Sequence, residues 1–235
     1  MSAASSSPDV TKDPEVTGPA VPRRVALLGA SGLVGQALLQ QLLADADLQA
    51  LHLLLRRPLS TPLSDPRVHY HVVDFAQSSW HGLLAVDAVF CCLGSTIKQA
   101  GSHAAFRAVD QTLVVTAAAA AKAAGANHFL VISALGADPA SGVFYNRVKG
   151  EMEQDLQQLG LAKLSIFRPS LLAGARQEFR LGERLGLLLA GLLAWLLPAK
   201  WRSISAARVA RAMWRASREQ QQAVRIYHSD EMQRS

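Results

Sequence analysis

The sequence predicts an α/β protein built on a doubly wound, mostly parallel sheet, with a small helical C-terminal region. Three observations carry that prediction. Short runs of continuous apolar residues recur along the chain, helical patterns alternate with them, and a glycine-rich turn lies at the first strand–helix junction. A strand that is apolar throughout is buried on both faces, as in a parallel sheet whose faces are covered by helices.

Taken in order, Arg24–Leu28 reads as a buried strand that ends at Gly29. Residues 33–44 follow as a helix, because Leu33, Val34, Ala37, Leu38, Gln41 and Leu42 form one face of period near 3.6. Leu51–Leu55 and Val68–Val73 are the second and third strands, and Ala88–Leu93 is a fourth, stopped again by glycine. A long alanine-rich helix is predicted over about 106–124 and closed by Gly125. A fifth strand follows over His128–Ser133, then a helix over 143–159 and a sixth strand over Leu164–Phe167. No solenoid-length repeat and no domain-length linker divides the chain.

The totals agree with one domain. The chain has 235 residues, half of them hydrophobic and 18% charged, enough to bury a sizeable core. The net charge of +6 suits an anionic ligand, although a basic surface without a further signature usually serves solubility. Residues 1–21 are rich in Ser, Ala, Pro and Thr, carry Asp9, Asp13 and Glu15, and read as a disordered tail ahead of a domain spanning 22–235. The tail has neither the apolar segment of a secretory signal nor the arginines of a mitochondrial one. The two cysteines, Cys91 and Cys92, are neighbours, which rarely make a disulfide of good geometry. A reducing compartment is the simpler reading, and a cytoplasmic location is expected.

Leu185–Leu197 is apolar throughout, but its thirteen residues fall short of the about 20 that a spanning helix needs. It reads either as a buried or half-buried helix or, with its basic flanks across 184–202, as a weak membrane-surface contact. Arg208, Arg211, Arg215 and Arg218 make one stripe of a C-terminal helix. A solvated face explains them, and no nucleic-acid partner is expected because no recognised motif accompanies them. Cys91 and Cys92 lack companions at metal-ligand spacing, and the seven histidines are scattered, so no metal site is expected.

The glycine turn carries the chemistry. Gly29, Gly32 and Gly35 stand between strand one and helix one as GxxGxxG. There the chain must leave the strand sharply, bring its backbone close to a pyrophosphate and pack the helix tightly on the sheet. The helix N-terminus offers unpaired N–H groups and a partial positive charge to phosphate. The turn residues Gly29, Ser31, Gly32, Leu33, Val34 and Gly35 are therefore candidates for binding a dinucleotide in a Rossmann-type domain. NAD-preferring sites place an acid at the end of strand two. This chain has Arg56 and Arg57 there, which suit a 2′-phosphate. NADP(H) is preferred, with NAD(H) the other option. Asp74 and Phe75, after strand three, stand where they can reach the adenine edge, and a solvated loop carboxylate is the competing reading for Asp74.

Tyr145 and Lys149 form YxxxK on a predicted helix, so phenol and ammonium share one face about a turn apart. An ammonium near a phenol favours the phenolate, which suits tyrosine for proton transfer. Ser133 ends strand five, near the carboxyl edge where ligand crevices lie in such sheets.

These residues resemble the short-chain dehydrogenase/reductase superfamily, and more narrowly its atypical branch containing the Tat-interacting proteins and their bacterial relatives. The resemblance runs from Val25 to about Met213. It includes Phe90-Cys-Cys-Leu-Gly94, Phe106-Arg-Ala-Val-Asp110, Ser133-Ala-Leu-Gly-Ala-Asp138, Tyr145-Asn-Arg-Val-Lys-Gly-Glu151 and Phe167-Arg-Pro-Ser170. It implies Ser133 as a carbonyl-orienting donor, Tyr145 as acid/base, and Lys149 as the group that holds the nicotinamide ribose and tunes the tyrosine. It further implies that Leu93, Gly94 and Pro169 border the cofactor and that residues 175–205 lie on the substrate side, with Trp195 and Trp201 over the nicotinamide end. The function expected is an NADP(H)-dependent oxidoreductase acting on a carbonyl or alcohol of unknown identity. The alternative is a dinucleotide-sensing protein that acts on a protein partner with little turnover. Homodimerisation through the long helices is common in the superfamily.

Overall fold

The structure is a computed structural model that describes residues 21–59, 61–75, 86–173, 202–219 and 221–234. The expectations for residues 1–20, for the apolar segment 185–197 and for Trp195 and Trp201 lie outside the described residues.

Among the described residues seven parallel strands form the central sheet in the order β3-β2-β1-β4-β5-β6-β9. They are β1 (Arg24–Leu28), β2 (Ala50–Leu55), β3 (Val68–Val72), β4 (Ala88–Cys91), β5 (His128–Ile132), β6 (Leu164–Arg168) and β9 (Val224–His228). A separate parallel pair, β7 (Leu172–Ala173) and β8 (Ile204–Ser205), lies beyond β6. Strand order reverses at β1, whose neighbours are β2 and β4, and this is the switch point where open α/β sheets bind ligands.

Alternating side chains send the strands into two cores. Val25 and Leu27 of β1, with Leu51, Leu53 and Leu55 of β2, face α1 (Leu33–Leu43) and α6 (Ala206–Glu219). The buried faces of these helices are Val34, Leu38 and Leu42 against Val209 and Met213. On the other side Ala26, Leu28, Val89, Cys91, Phe129 and Ile166 face α4 (Leu113–Ala123) and α5 (Phe144–Gln158). Cys91 and Cys92 belong to opposite cores, as the strand alternation requires. At the far end of α6, Asp45 accepts hydrogen bonds from Trp214 Nε1 at 2.8 Å and from Arg218 Nη1 at 2.7 Å. Arg208 donates to the Gln233 carbonyl and Arg215 lies 3.5 Å from Glu219, so much of the arginine stripe is engaged within the molecule.

Three elements differ from the sequence reading. β9 was not expected; its residues Val-Arg-Ile-Tyr-His mix apolar and polar side chains because, among the described residues, it is a largely exposed strand paired only with β6. A short helix α7 (Ser229–Arg234) follows it. The long helix expected over 106–124 starts earlier and is interrupted. α2 (Ile97–Ala100) and α3 (His103–Arg107) precede a π-helical turn, Ala108–Thr112, and only then does α4 begin.

Candidate active site

The expected site residues gather at one edge of the sheet. Gly29 follows β1, Arg56 and Arg57 follow β2, and Asp74 and Phe75 follow β3. Leu93 and Gly94 follow β4, Ser133 follows β5 and Pro169 follows β6. Tyr145 and Lys149 are on the first turns of α5.

Two of the three turn glycines are required by the fold itself. Gly29 has φ +78°, and a Cβ on it would stand 2.5 Å from the Cys92 carbonyl oxygen. A Cβ on Gly35 would stand 2.0 Å from the Gly29 carbonyl oxygen, so helix α1 presses backbone to backbone on the turn. Gly32 is different. Its φ is −77°, and a Cβ would meet only the Gly29 oxygen at 3.4 Å, an ordinary contact. Gly32 is the N-cap of α1 and places no side chain over the helix end. Ser31, Gly32 and Leu33 are exposed. The fold itself does not need that third glycine, and the space beside it fits a cradle for an anionic ligand.

Arg56, Val72, Val73, Asp74 and Phe75 line one cavity of about 410 Å³. The structure therefore brings one of the two β2 arginines together with the β3 pair; Arg57 is exposed beside them and does not line the cavity. Another cavity, of about 550 Å³, opens at the opposite sheet edge among Arg23, Asp87, His128 and Lys163. Topology rather than cavity size selects the carboxyl edge.

Beyond the end of β4 the centre is an ion pair. Lys149 is 2% exposed and Asp110 fully buried, with Nζ 2.8 Å from Oδ1. Burial by itself lowers the Lys149 ammonium, but Asp110, joined by Tyr145 and Cys91, more than offsets it, and the group is held above the usual lysine range. Asp110 Oδ2 accepts hydrogen bonds from Ser95 N at 2.9 Å and Ser95 Oγ at 2.7 Å. The residue between Leu93 and Ser95 is glycine; a Cβ there would touch Asp110 Oδ1 at 3.5 Å and Lys149 Nζ at 4.0 Å. Sequence reading included Asp110 only inside a resembling segment and missed Ser95. The signal that could have found them is a buried lysine's need for a counter-ion.

The helix bearing Tyr145 and Lys149 is fixed from three sides. Gly150 allows the Asp138–Pro139 backbone to press directly on α5, and Asp138 N donates to the Asn146 carbonyl at 3.1 Å. Glu153, 2% exposed, accepts a forked pair of hydrogen bonds from Arg168 at the end of β6, with Nε to Oε1 at 3.0 Å and Nη2 to Oε2 at 2.5 Å. Arg107 pairs with Glu151, and Gln111 Nε2 donates to Asp155 at 2.7 Å, which clips the π-turn to α5. Phe106 packs on the Tyr145 ring at 5.4 Å between centroids. Ser133 N donates to the Phe167 carbonyl at 2.7 Å, whereas its buried Oγ has no hydrogen-bond partner among the described residues. An orphaned buried hydroxyl is costly unless a ligand satisfies it.

Cys91 is buried, and burial pushes its thiol up to about 12; the Cys92 thiol is raised as well. Neither is poised as a nucleophile. Among the described residues no group of three His, Cys, Asp or Glu side chains could hold a metal ion.

Residues 29–220 match the family model described as NAD(P)H-binding. The chain is 38% identical to "Protein HTATIP2" of Rattus norvegicus over 184 residues, covering 77% of this chain and 74% of that protein. The chain belongs to the NAD(P)H-binding family, in its atypical short-chain dehydrogenase/reductase branch. A second relative in this branch is "Protein FMP52, mitochondrial" of Coccidioides immitis, 35% identical over 80% of this chain and 82% of the relative. The fold of this NAD(P)H-binding protein is also that of MoeE5, solved with UDP-glucose and NAD. The two superpose with a TM-score of 0.64 at 15% identity, over 87% of this chain and 76% of the other. A reductase domain of PhqB from Penicillium fellutanum superposes with a TM-score of 0.61 at 18% identity, over 92% of this chain and 70% of that one. The NAD(P)-binding, oxidoreductase-like fold expected from the sequence is thus established, and among the described residues no helix is long and apolar enough to cross a membrane.

Proposed function

We propose that this protein is an NADP(H)-dependent oxidoreductase that interconverts a carbonyl and an alcohol, with Tyr145 as the acid/base. What supports this reading is that an orphaned, buried Ser133 hydroxyl follows β5, and Tyr145 and the buried Lys149 stand on the first turns of α5, at the same sheet edge as the glycine turn after β1. A bound nicotinamide supplies or accepts the hydride. Ser133 Oγ donates a hydrogen bond to the substrate oxygen, so that developing negative charge meets a donor already in place. The Tyr145 hydroxyl gives its proton to that oxygen in reduction and takes it back in oxidation. Lys149 presents ammonium donors to the nicotinamide ribose. Gly32 and the α1 N-terminus hold the pyrophosphate, Leu93, Gly94 and Pro169 border the nicotinamide, Arg56 and Arg57 bind the 2′-phosphate, and Asp74 and Phe75 bound the adenine.

Two variants test the reading. Replacing Arg56 and Arg57 together by Ala weakens NADPH binding by about 10- to 100-fold and leaves NADH binding little changed, since charged hydrogen bonds to the phosphate are lost. Equal losses for both nucleotides in a fluorescence titration would remove the phosphate role. Tyr145→Phe lowers turnover by about 10²- to 10⁴-fold with nucleotide affinity retained, measured on whichever member of a carbonyl and alcohol panel the native protein accepts. Unchanged turnover sinks the acid/base assignment. Tight nucleotide binding with no turnover anywhere in the panel would favour the sensing alternative, in which nucleotide occupancy alters a surface for a protein partner. We place the protein in the cytoplasm. The mitochondrial names of the FMP52 relatives make cell fractionation the deciding measurement.

A further inference from the structure

We propose that Asp110 is a positioning residue: presented by the π-turn and fixed by Ser95, it keeps Lys149 charged and ties it to the loop that borders the nicotinamide. The inference rests on the reading of Lys149 as the nicotinamide-ribose donor.

A lysine 2% exposed loses its hydration, and without a counter-ion such a group sheds its proton. The groups that face it are Asp110 from the π-turn, Tyr145 from its own helix and Cys91 from β4. Asp110 alone among these three is an ordinary counter-anion, and it is fully buried itself, so the two charges depend on each other.

The backbone is built for this contact. π-helical turns are rare and cluster at functional sites, and this one covers Ala108–Thr112 with Asp110 at its centre. The wider turn separates α3 from α4, and the Arg107–Glu151 and Gln111–Asp155 contacts pin it against the lysine-bearing helix. The second carboxylate oxygen is held by both the N–H and the hydroxyl of Ser95. Ser95 follows Leu93 and Gly94 directly, so the loop, the carboxylate and the ammonium form one continuous chain of contacts. A shift of that loop moves the carboxylate, and the ammonium follows it.

The test uses Asp110→Asn in the full chain, which keeps an acceptor for Ser95 and takes away the carboxylate that faces Lys149. The sequence contains six lysines, so the Nζ resonances of labelled protein can be assigned with Lys149→Arg as reference. In the native protein without nucleotide, Lys149 stays an ammonium throughout the range in which the other lysines do. In Asp110→Asn it gives up its proton at a proton concentration about tenfold higher or more, and NADPH affinity falls about tenfold. Ser95→Ala, which leaves the charge and loosens its hold, gives a smaller fall in NADPH affinity with the Lys149 titration little changed. It also serves should the Asn variant fail to fold. An unchanged Lys149 titration in Asp110→Asn overturns the counter-ion role. A native Lys149 that titrates below the exposed lysines does the same. A changed titration with unchanged NADPH affinity overturns the positioning role. Should the native protein bind no nucleotide, the dinucleotide reading falls and the ribose role with it, while the titration still reports on the ion pair by itself.

Discussion

Gly35→Ala lowers the melting temperature by about 6–12 °C, corresponding to roughly 3 kcal/mol at about 2–4 °C per kcal/mol for a chain of this size. Alanine is the better helix former by about 1 kcal/mol, so propensity argues for the substitution and sterics against it. Sterics win because the added carbon would lie 2.0 Å from the Gly29 carbonyl oxygen, 2.8 Å from its carbon and 3.0 Å from Ala30 Cα, all of them backbone. The turn cannot retreat. The Gly29 oxygen already accepts the Gly32 N–H at 3.0 Å, and Gly29 itself abuts the Cys92 carbonyl. Helix α1 must lift, and its packing on β1 and α6 loosens with it. Gly32→Ala is the informative contrast. Its Cβ finds room, so stability stays within about 0.5 kcal/mol, the range of substitutions that touch nothing. Nucleotide affinity nevertheless falls, because the new methyl occupies the cradle. Thermal denaturation and NADPH titration of both variants check the pair; a Gly35→Ala protein as stable as the native one, or a Gly32→Ala protein that binds equally well, refutes the corresponding assignment.

Gly150→Ala is expected to cost a similar amount, about 3 kcal/mol, and to damage the site as well. A glycine on a central turn of α5 sacrifices about 1 kcal/mol of helix propensity, which the close approach of Asp138 and Pro139 requires. An alanine Cβ would stand 2.2 Å from both Asp138 C and Pro139 N. That loop begins at Ser133 and is knit by Asp138 itself, whose carboxylate accepts Ala140 N at 2.9 Å and whose carbonyl accepts Ser141 N at 3.0 Å. It moves as a unit, so lifting it off α5 carries the serine away from the tyrosine and lysine. Chemical denaturation reads the stability, and turnover at saturating nucleotide reads the misalignment. A variant destabilised but fully active would show that the loop carries no positional information.

Much of this was legible in the residues because parallel strands announce themselves. Val25–Leu28 and Val89–Cys91 are apolar on both faces, Leu51–Leu55 is so except at His52, and candidate site residues follow within two positions of each end. The glycine spacing was equally plain, although only the folded backbone separates the two glycines that the fold needs from the one it does not. β9 escaped because a short edge strand with no fully buried residue, carrying Arg225 and ending at His228, gives a pattern as weak as that of a loop. The interruption at Ala108–Thr112 escaped for another reason. A π-turn shifts the helical phase by one residue, and the alanine-rich α4 that follows gives little phase against which to detect the shift. Asp110 was visible as a residue but not as a partner, since its meaning lies in a lysine on another helix.

The all-parallel sheet also bears on how the chain reaches this state. β1 pairs through Val25 with Leu51 on one side and Ala88 on the other, so no hairpin can nucleate it. Each adjacent pair must wait for an intervening crossover to close, which places folding among the slow, topologically non-local cases. Until β4 arrives, the apolar ribbon Val25–Leu28 has one unsatisfied backbone edge and both side-chain faces in search of cover. Aggregation of newly made chains at high temperature or high concentration is therefore the characteristic failure of this architecture, and slow, cool synthesis is its natural remedy.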